Sequence, residues 1–148
     1  MLAQFRPLPC FASLDCFVTM PWHTHYHADT CIVETVYSGS LTPTEVERAV
    51  RGTLALGVEH SATRFLTDCA GLTGGHSITD LYGMLEILLS SGLPYTVREA
   101  VVLPPSSDPV AAENVSFWEL ACRNRGINVR VFLDRVSAFA WLSELSEG

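Results

Sequence analysis

Apolar and polar positions alternate along the chain with a period that changes several times, and each change predicts an element. Residues 1–19 are largely apolar but are interrupted by Pro7, Pro9 and Asp15, so they read as an N-terminal extension that its prolines keep out of a helix. The ordered domain is expected over residues 20–148. From Trp22 to His27 the residue types alternate, and Cys31 to Tyr37 is apolar and β-branched, with Ala28-Asp29-Thr30 as a short turn between them; this is a hairpin pattern. Thr42, Pro43 and Glu45 then spell a helix start with a capping box. Val46, Ala49, Val50, Thr53, Leu54 and Gly57 share one face of that helix, through to about His60. A short strand follows at Arg64–Asp68, and Cys69–His76 reads as a glycine-bearing loop. Ser77 with Asp80 opens a second helix, with Leu81, Met84, Leu85 and Leu88 inward, and Gly92 and Pro94 stop it. Val97–Leu103 is a strand, and Asp108-Pro109 starts a third helix that ends at Gly126. Ile127–Phe132 is the last strand, and Asp134 caps a final helix with Ala138, Trp141, Leu142 and Leu145 on one side.

The order β-β-α-β-α-β-α-β-α, with right-handed strand–helix–strand crossovers, predicts an α/β domain with one mixed five-stranded sheet: a parallel set joined to an antiparallel hairpin. Glu34, Thr67, Glu99 and Arg130 each interrupt a strand, whereas strands covered on both faces read as unbroken apolar runs. Four helices mainly on one face, with the other face more open, are therefore expected.

Residues 65–77, from Phe65-Leu66-Thr67-Asp68 to Gly74-Gly75-His76-Ser77, together with Asn124-Arg125-Gly126-Ile127-Asn128-Val129-Arg130-Val131-Phe132, Ala138 and Trp141-Leu142, carry a resemblance. With the element order they resemble the SpoIIAA-like branch of the STAS superfamily, over roughly Trp22 to Leu145. That resemblance implies a βα superhelix, a STAS-like domain over residues 20–148, and kinship with anti-sigma-factor antagonists and, more distantly, Sec14-type lipid-binding domains. Such domains are mostly non-catalytic interaction or ligand-binding modules. In phospho-regulated members a serine within an Asp-Ser-Ser-Gly motif accepts phosphate from a partner kinase. Here Asp68 is followed by Cys69-Ala70-Gly71, so the motif is missing; Ser77 is the nearest positional counterpart and Thr73 a weaker one.

Composition narrows the chemistry. A chain of 148 residues and 16.2 kDa fits one domain; hydrophobic types make up 48% and charged types 17%, with mean hydropathy +0.25. All nine basic residues are arginine, which excludes a P-loop lysine and Schiff-base catalysis. A net charge of −7 argues against nucleic-acid and acidic membrane partners. Cys10, Cys16, Cys31, Cys69 and Cys122 include no C-x-x-C pair and read as reduced thiols. With no uninterrupted signal-peptide core and no run long enough to span a membrane, a cytoplasmic protein is expected.

Three places could hold chemistry. The segment Asp68, Cys69, Thr73, Gly74, Gly75, His76 and Ser77 leaves a parallel strand and enters a helix, where ligands and anions gather in open α/β sheets. Ser77 reads first as a cap, with phosphoacceptor as the alternative. His23, His25 and His27 share one strand face and could chelate zinc or nickel, but alternate strand residues lie ~6.6 Å apart, so all three could meet one ion only if the strand bends; a polar outer face is the plainer reading. Cys69 beside His76 would suit a thiol nucleophile, yet no orienting third group is evident and a structural thiol is the better reading. Trp22, Trp118 and Trp141, with Phe117 and Phe139, read as core packing or as an apolar pocket lining. Arg123, Arg125, Arg130 and Arg135 read as ion pairs on a solvated face with Glu119, Asp134 and Glu144.

The expectation is a small non-catalytic regulatory or ligand-binding module, with no cofactor, acting through a regulatory protein partner or a small apolar or anionic ligand. A metal-dependent protein or enzyme using the histidine strand is the alternative. The apolar surplus predicts a homodimer burying ~1,200–2,000 Å², with the Trp22/Tyr26 side and the Cys31–Tyr37 strand as the covered surface.

Overall fold

The computed structural model describes residues 20–73, 77–94 and 96–144. The extension 1–19, Gly74, Gly75, His76 and Leu145 lie outside the described residues. The elements run β1 (Trp22–His27), β2 (Ile32–Gly39), α1 (Pro43–His60), β3 (Arg64–Leu72), α2 (Ile78–Leu89), β4 (Arg98–Val102), α3 (Pro109–Asn124), β5 (Asn128–Phe132) and α4 (Arg135–Ser143).

The helix starts are built as local chemistry dictates. Thr42 and Glu45 close a capping box on α1 and Ser77 and Asp80 close one on α2, so each terminus satisfies two orphan N–H groups. Asp108 accepts from the N–H groups of Val110 and Ala111, and Asp134 accepts from that of Ser137.

Strand order follows chain order, β1-β2-β3-β4-β5, with β1 antiparallel to β2 and every later pair parallel. Three right-handed crossovers stepping in one direction must lie on one face. Accordingly α1, α2 and α3 bury Val46, Leu81, Met84, Leu85, Ala111 and Val115 against Cys69, Val101 and Val129. The last helix, α4, turns back beneath the other face and buries Ala138, Trp141 and Leu142 against Ile32, Leu66, Ala100 and Val102.

This two-sided cover corrects the reading of the interrupted strands. Thr67 and Glu99 alternate with Leu66 and Ala100, so they point under α1–α3, whereas Glu34 and Arg130 belong to the α4 side. Trp22 and Tyr26 likewise pack on the α1–α3 side, half-buried on the edge strand β1, and β2 lies between β1 and β3 with Ile32, Val33, Glu34 and Thr35 buried, so the expected dimer surface is not an open sheet face. The hairpin turn extends to Cys31, which takes a left-handed φ of 61°.

The strand expected to stop at Asp68 continues to Leu72. Val36 pairs with Asp68 but Ser38 pairs with Gly71, so β3 carries one extra residue, a bulge. The Ala70 N–H donates to Asp68 Oδ1 at 3.0 Å within it. The extra residue shifts the alternation, which is why both Cys69 and Leu72 reach the core beneath the helices. Gly71 permits the close approach, since a Cβ there would sit 3.2 Å from the Tyr37 carbonyl oxygen.

Candidate functional site

Between the sheet and α1–α3 lies a cavity of about 90 Å³. Val46 and Val50 of α1, Leu81 and Met84 of α2, and Asn114, Val115 and Trp118 of α3 form its roof. A second cavity of about 60 Å³ continues toward Thr35, Thr53, Phe65 and Val97, sharing Tyr37, Val50, Thr67, Glu99 and Trp118 with the first.

Glu99 lines both cavities, and among the described residues it is the one acidic or basic side chain lining either. Its position follows from β4: Ala100 and Val102 fill the α4 side, so Glu99 and Val101 must face the helices. Thr67 donates its hydroxyl to Glu99 Oε2 at 2.5 Å, and the Trp118 indole N–H donates to Oε1 at 3.0 Å. Burial raises the Glu99 pKa, and these two hydrogen bonds oppose the rise only in part. The cavity therefore contains a carboxyl biased toward its neutral form. At the far end, Thr35 is satisfied by Thr53 at 2.6 Å and Thr24 at 3.2 Å.

Sequence reasoning read Glu99 as a mark of an open sheet face and missed its role. Period-two alternation within Arg98-Glu99-Ala100-Val101-Val102 separates Glu99 from Ala100 and Val102, and that was the available signal.

Of the expected ligand segment, Gly74, Gly75 and His76 lie outside the described residues, and the other four take different surroundings. Cys69 is buried beneath the helices, and burial, then the nearby Glu99 and Asp68 carboxyls, raises its thiol pKa, which disfavours the thiolate. Asp68 faces α4 instead. Thr73 is exposed and ties its N–H to the Gly39 carbonyl at 3.0 Å. Ser77 caps α2, accepting from the Asp80 N–H at 3.1 Å.

Asp68 belongs to a charged chain on the α4 side. His27 Nε2 lies 2.7 Å from Glu34 Oε1, and Arg135 Nη1 donates to Glu34 Oε2 at 2.7 Å and to Asp68 Oδ2 at 2.9 Å. Burial raises the Glu34 pKa, but hydrogen bonds from Arg135 and His27 outweigh it and hold the carboxyl below the ordinary range. Arg135 thus pairs with two strands and not with Asp134, which is occupied as the α4 cap. Arg123 approaches Glu119 at 4.0 Å as expected. Arg98 donates to the Trp141 carbonyl at 2.9 Å and to the Glu144 carbonyl, fastening the other end of α4.

His23, His25 and His27 do share a face, and the rings of His25 and His27 meet edge-on with centroids 4.6 Å apart. Among the described residues no group of three or more His, Cys, Asp or Glu side chains could hold a metal ion. The tryptophans do not gather either: Trp118 lines both cavities, Trp141 packs under the opposite face, and Trp22 flanks the core near the sheet edge.

No protein-family model matches the chain, and no curated protein matches it in sequence. Its structure is similar to the crystal structure of an uncharacterised protein from the DUF3478 family with a SpoIIAA-like fold, from Shewanella loihica PV-4. The match has a TM-score of 0.53 at 18% identity and covers 82% of this chain and 91% of that one. The five-stranded mixed sheet, its one-step crossovers and this likeness together give the chain a SpoIIAA-like fold.

Proposed function

We propose that the chain is a small non-catalytic binding module that holds a small, mainly apolar ligand between its sheet and α1–α3. The observation that carries this reading is the pair of neighbouring apolar cavities that share one carboxyl, Glu99, in their lining. A catalytic reading has less support, because burial raises the pKa of the candidate thiol Cys69 and Asp68 is committed to Arg135. No helix among the described residues is long and apolar enough to cross a membrane, and free thiols at Cys31, Cys69 and Cys122 support a reducing, cytoplasmic setting.

Thermal unfolding with benzene as the probe tests the reading. Benzene near saturation should raise the unfolding temperature of the wild type, and Val115→Phe, which fills the first cavity, should abolish the rise. No rise in the wild type overturns it.

A second reading, protein contact, is favoured by one apolar strip. Val110, Phe117 and Leu120 lie on one outward side of α3, and Tyr82 of α2 meets Phe117 edge-on at 5.4 Å. Tyr82, Val110 and Leu120 are 48%, 51% and 58% exposed, more than isolated core residues would be. A second copy covering this strip would form the homodimer. Sedimentation equilibrium should then show a mass above 16.2 kDa that Leu120→Glu returns to the monomer; a monomer at high micromolar concentration sinks this reading.

A further inference from the structure

We propose that the cavity selects a small cationic amine with an apolar body, its ammonium group held by Glu99. This rests on the binding-module reading and adds the chemical class of the ligand. An anionic ligand finds no cationic partner here, because no arginine or histidine is among the described residues lining either cavity, and Glu99 once ionised would repel it. A purely apolar ligand would leave the carboxyl facing hydrocarbon.

The hydrogen bonds of Glu99 fit the same class. Each oxygen already accepts one hydrogen bond, from Thr67 or from Trp118, and a carboxylate oxygen has a second lone pair. Both donors are neutral, so they orient the carboxyl without neutralising it. The vacant lone pairs are matched by a group that carries donors and positive charge, which is an ammonium.

The titratable groups around Glu99 are Tyr37 on β2, Cys69 on β3 and Cys122 on α3, all acids whose pKa is raised first of all by burial. Among the described residues, α1 and α2 give the two cavities only Val46, Val50, Thr53, Leu54, Leu81, Met84 and Leu88, and no lining residue is a cation that would compete with a bound ammonium.

Proton balance gives the signature. An ammonium entering a site whose carboxyl is protonated must displace one proton to solvent, so its affinity rises tenfold per pH unit until Glu99 is ionised. A neutral alcohol displaces none. Burial places that rising limb above the ordinary carboxylate range.

Calorimetric titration with butylamine, butanol and butyrate, three four-carbon probes differing in the head group, tests the proposal. Butylamine should release one proton on binding along the rising limb and should bind about tenfold or more tightly than butanol at its top, where Glu99 is ionised, and butyrate should not bind. Glu99→Gln keeps the shape and should remove the preference for amine; Trp118→Phe, which deletes one donor to the carboxylate, should move the rising limb to higher pH. Butanol binding as well as butylamine at the top of the limb, or butylamine binding without proton release on the rising limb, overturns the amine assignment and leaves the binding module standing. Failure of all three probes, with the protein folded, overturns both.

Discussion

Arg135 and Glu34 stand 101 residues apart in the chain, yet Nη1 of one lies 2.7 Å from Oε2 of the other, joining the first turn of α4 to the middle of β2. The Glu34 side chain is only 10% exposed, so this pair is shielded in a way that surface pairs are not. It is the tie that closes the second face of the sheet over the hairpin half of the molecule.

The depressed Glu34 pKa makes that tie a source of acid sensitivity. Its stabilisation is present above the ordinary glutamate value of 4.5 and is lost as pH falls through the lower folded value. Glu34→Gln should cost about 1–3 kcal/mol near neutral pH, as expected for a hydrogen bond between charged groups, and should flatten the loss of stability in acid. Urea unfolding across the acidic range measures both; an unchanged acid slope refutes the assignment.

Glu99 has the opposite sign. Its pKa is raised on folding, so its neutral form favours the native state below the ordinary value, and stability drains away as pH rises through the folded value, by at most ~1.4 kcal/mol per pH unit. Glu99→Gln should therefore make the protein more stable than the wild type at alkaline pH and remove that slope. The same urea series read toward high pH checks it, and an alkaline slope that survives in the variant contradicts it.

The capping box at α2 gives a prediction independent of charge. Ser77→Ala removes the acceptor of the Asp80 N–H and should lower stability by about 1 kcal/mol, while Ser77→Asp should recover most of it because aspartate caps as well. Equal stability of all three proteins by denaturant unfolding would show that the cap contributes nothing.

Gly57 lies against the ring of Phe65, where a Cβ would fall 2.5 Å from Cζ. In an open helix Gly→Ala gains about 1 kcal/mol. Here the overlap should outweigh that gain, because the ring is buried among Val33, Ala62 and Val97, so Gly57→Ala should destabilise by about 1–3 kcal/mol. Gly52→Ala, whose Cβ meets open space on the same helix, should stabilise and serves as the control. Thermal unfolding of the pair should move in opposite directions.

The parts of the fold legible in the sequence are those decided within a few residues. Thr42-Pro43, Ser77 with Asp80, Asp108-Pro109 and Asp134 each state a helix start that the structure repeats. The bulge at Asp68–Ala70 was not legible, because it is defined by pairing with Val36 and Ser38 some thirty residues away. The partners of Arg135 were hidden for the same reason: Asp134 is adjacent in sequence, but its carboxylate is already committed to the Ser137 N–H. Of the candidate site, Thr73 and Ser77 lie on or near the surface at the entry to α2, whereas the cavity depends on which face Glu99 takes. That face becomes fixed only when β4 is set beside β3 and α4 claims the other side.

The strand order has a consequence for how the sheet is assembled. Because β1 to β5 lie side by side in the order of the chain, each strand after the first finds its neighbour already made, and no strand has to be threaded between two that are paired. The hairpin supplies a starting edge, and every β-α unit extends it by one strand and one roof helix. Only α4 departs from this progression, since it reaches back to β2 and β3 through Arg135 and covers Leu66 and Ala100 at once. The growing sheet thus keeps one bare apolar face until the last helix swings under it, and that face is where an incompletely made chain is open to capture by other molecules.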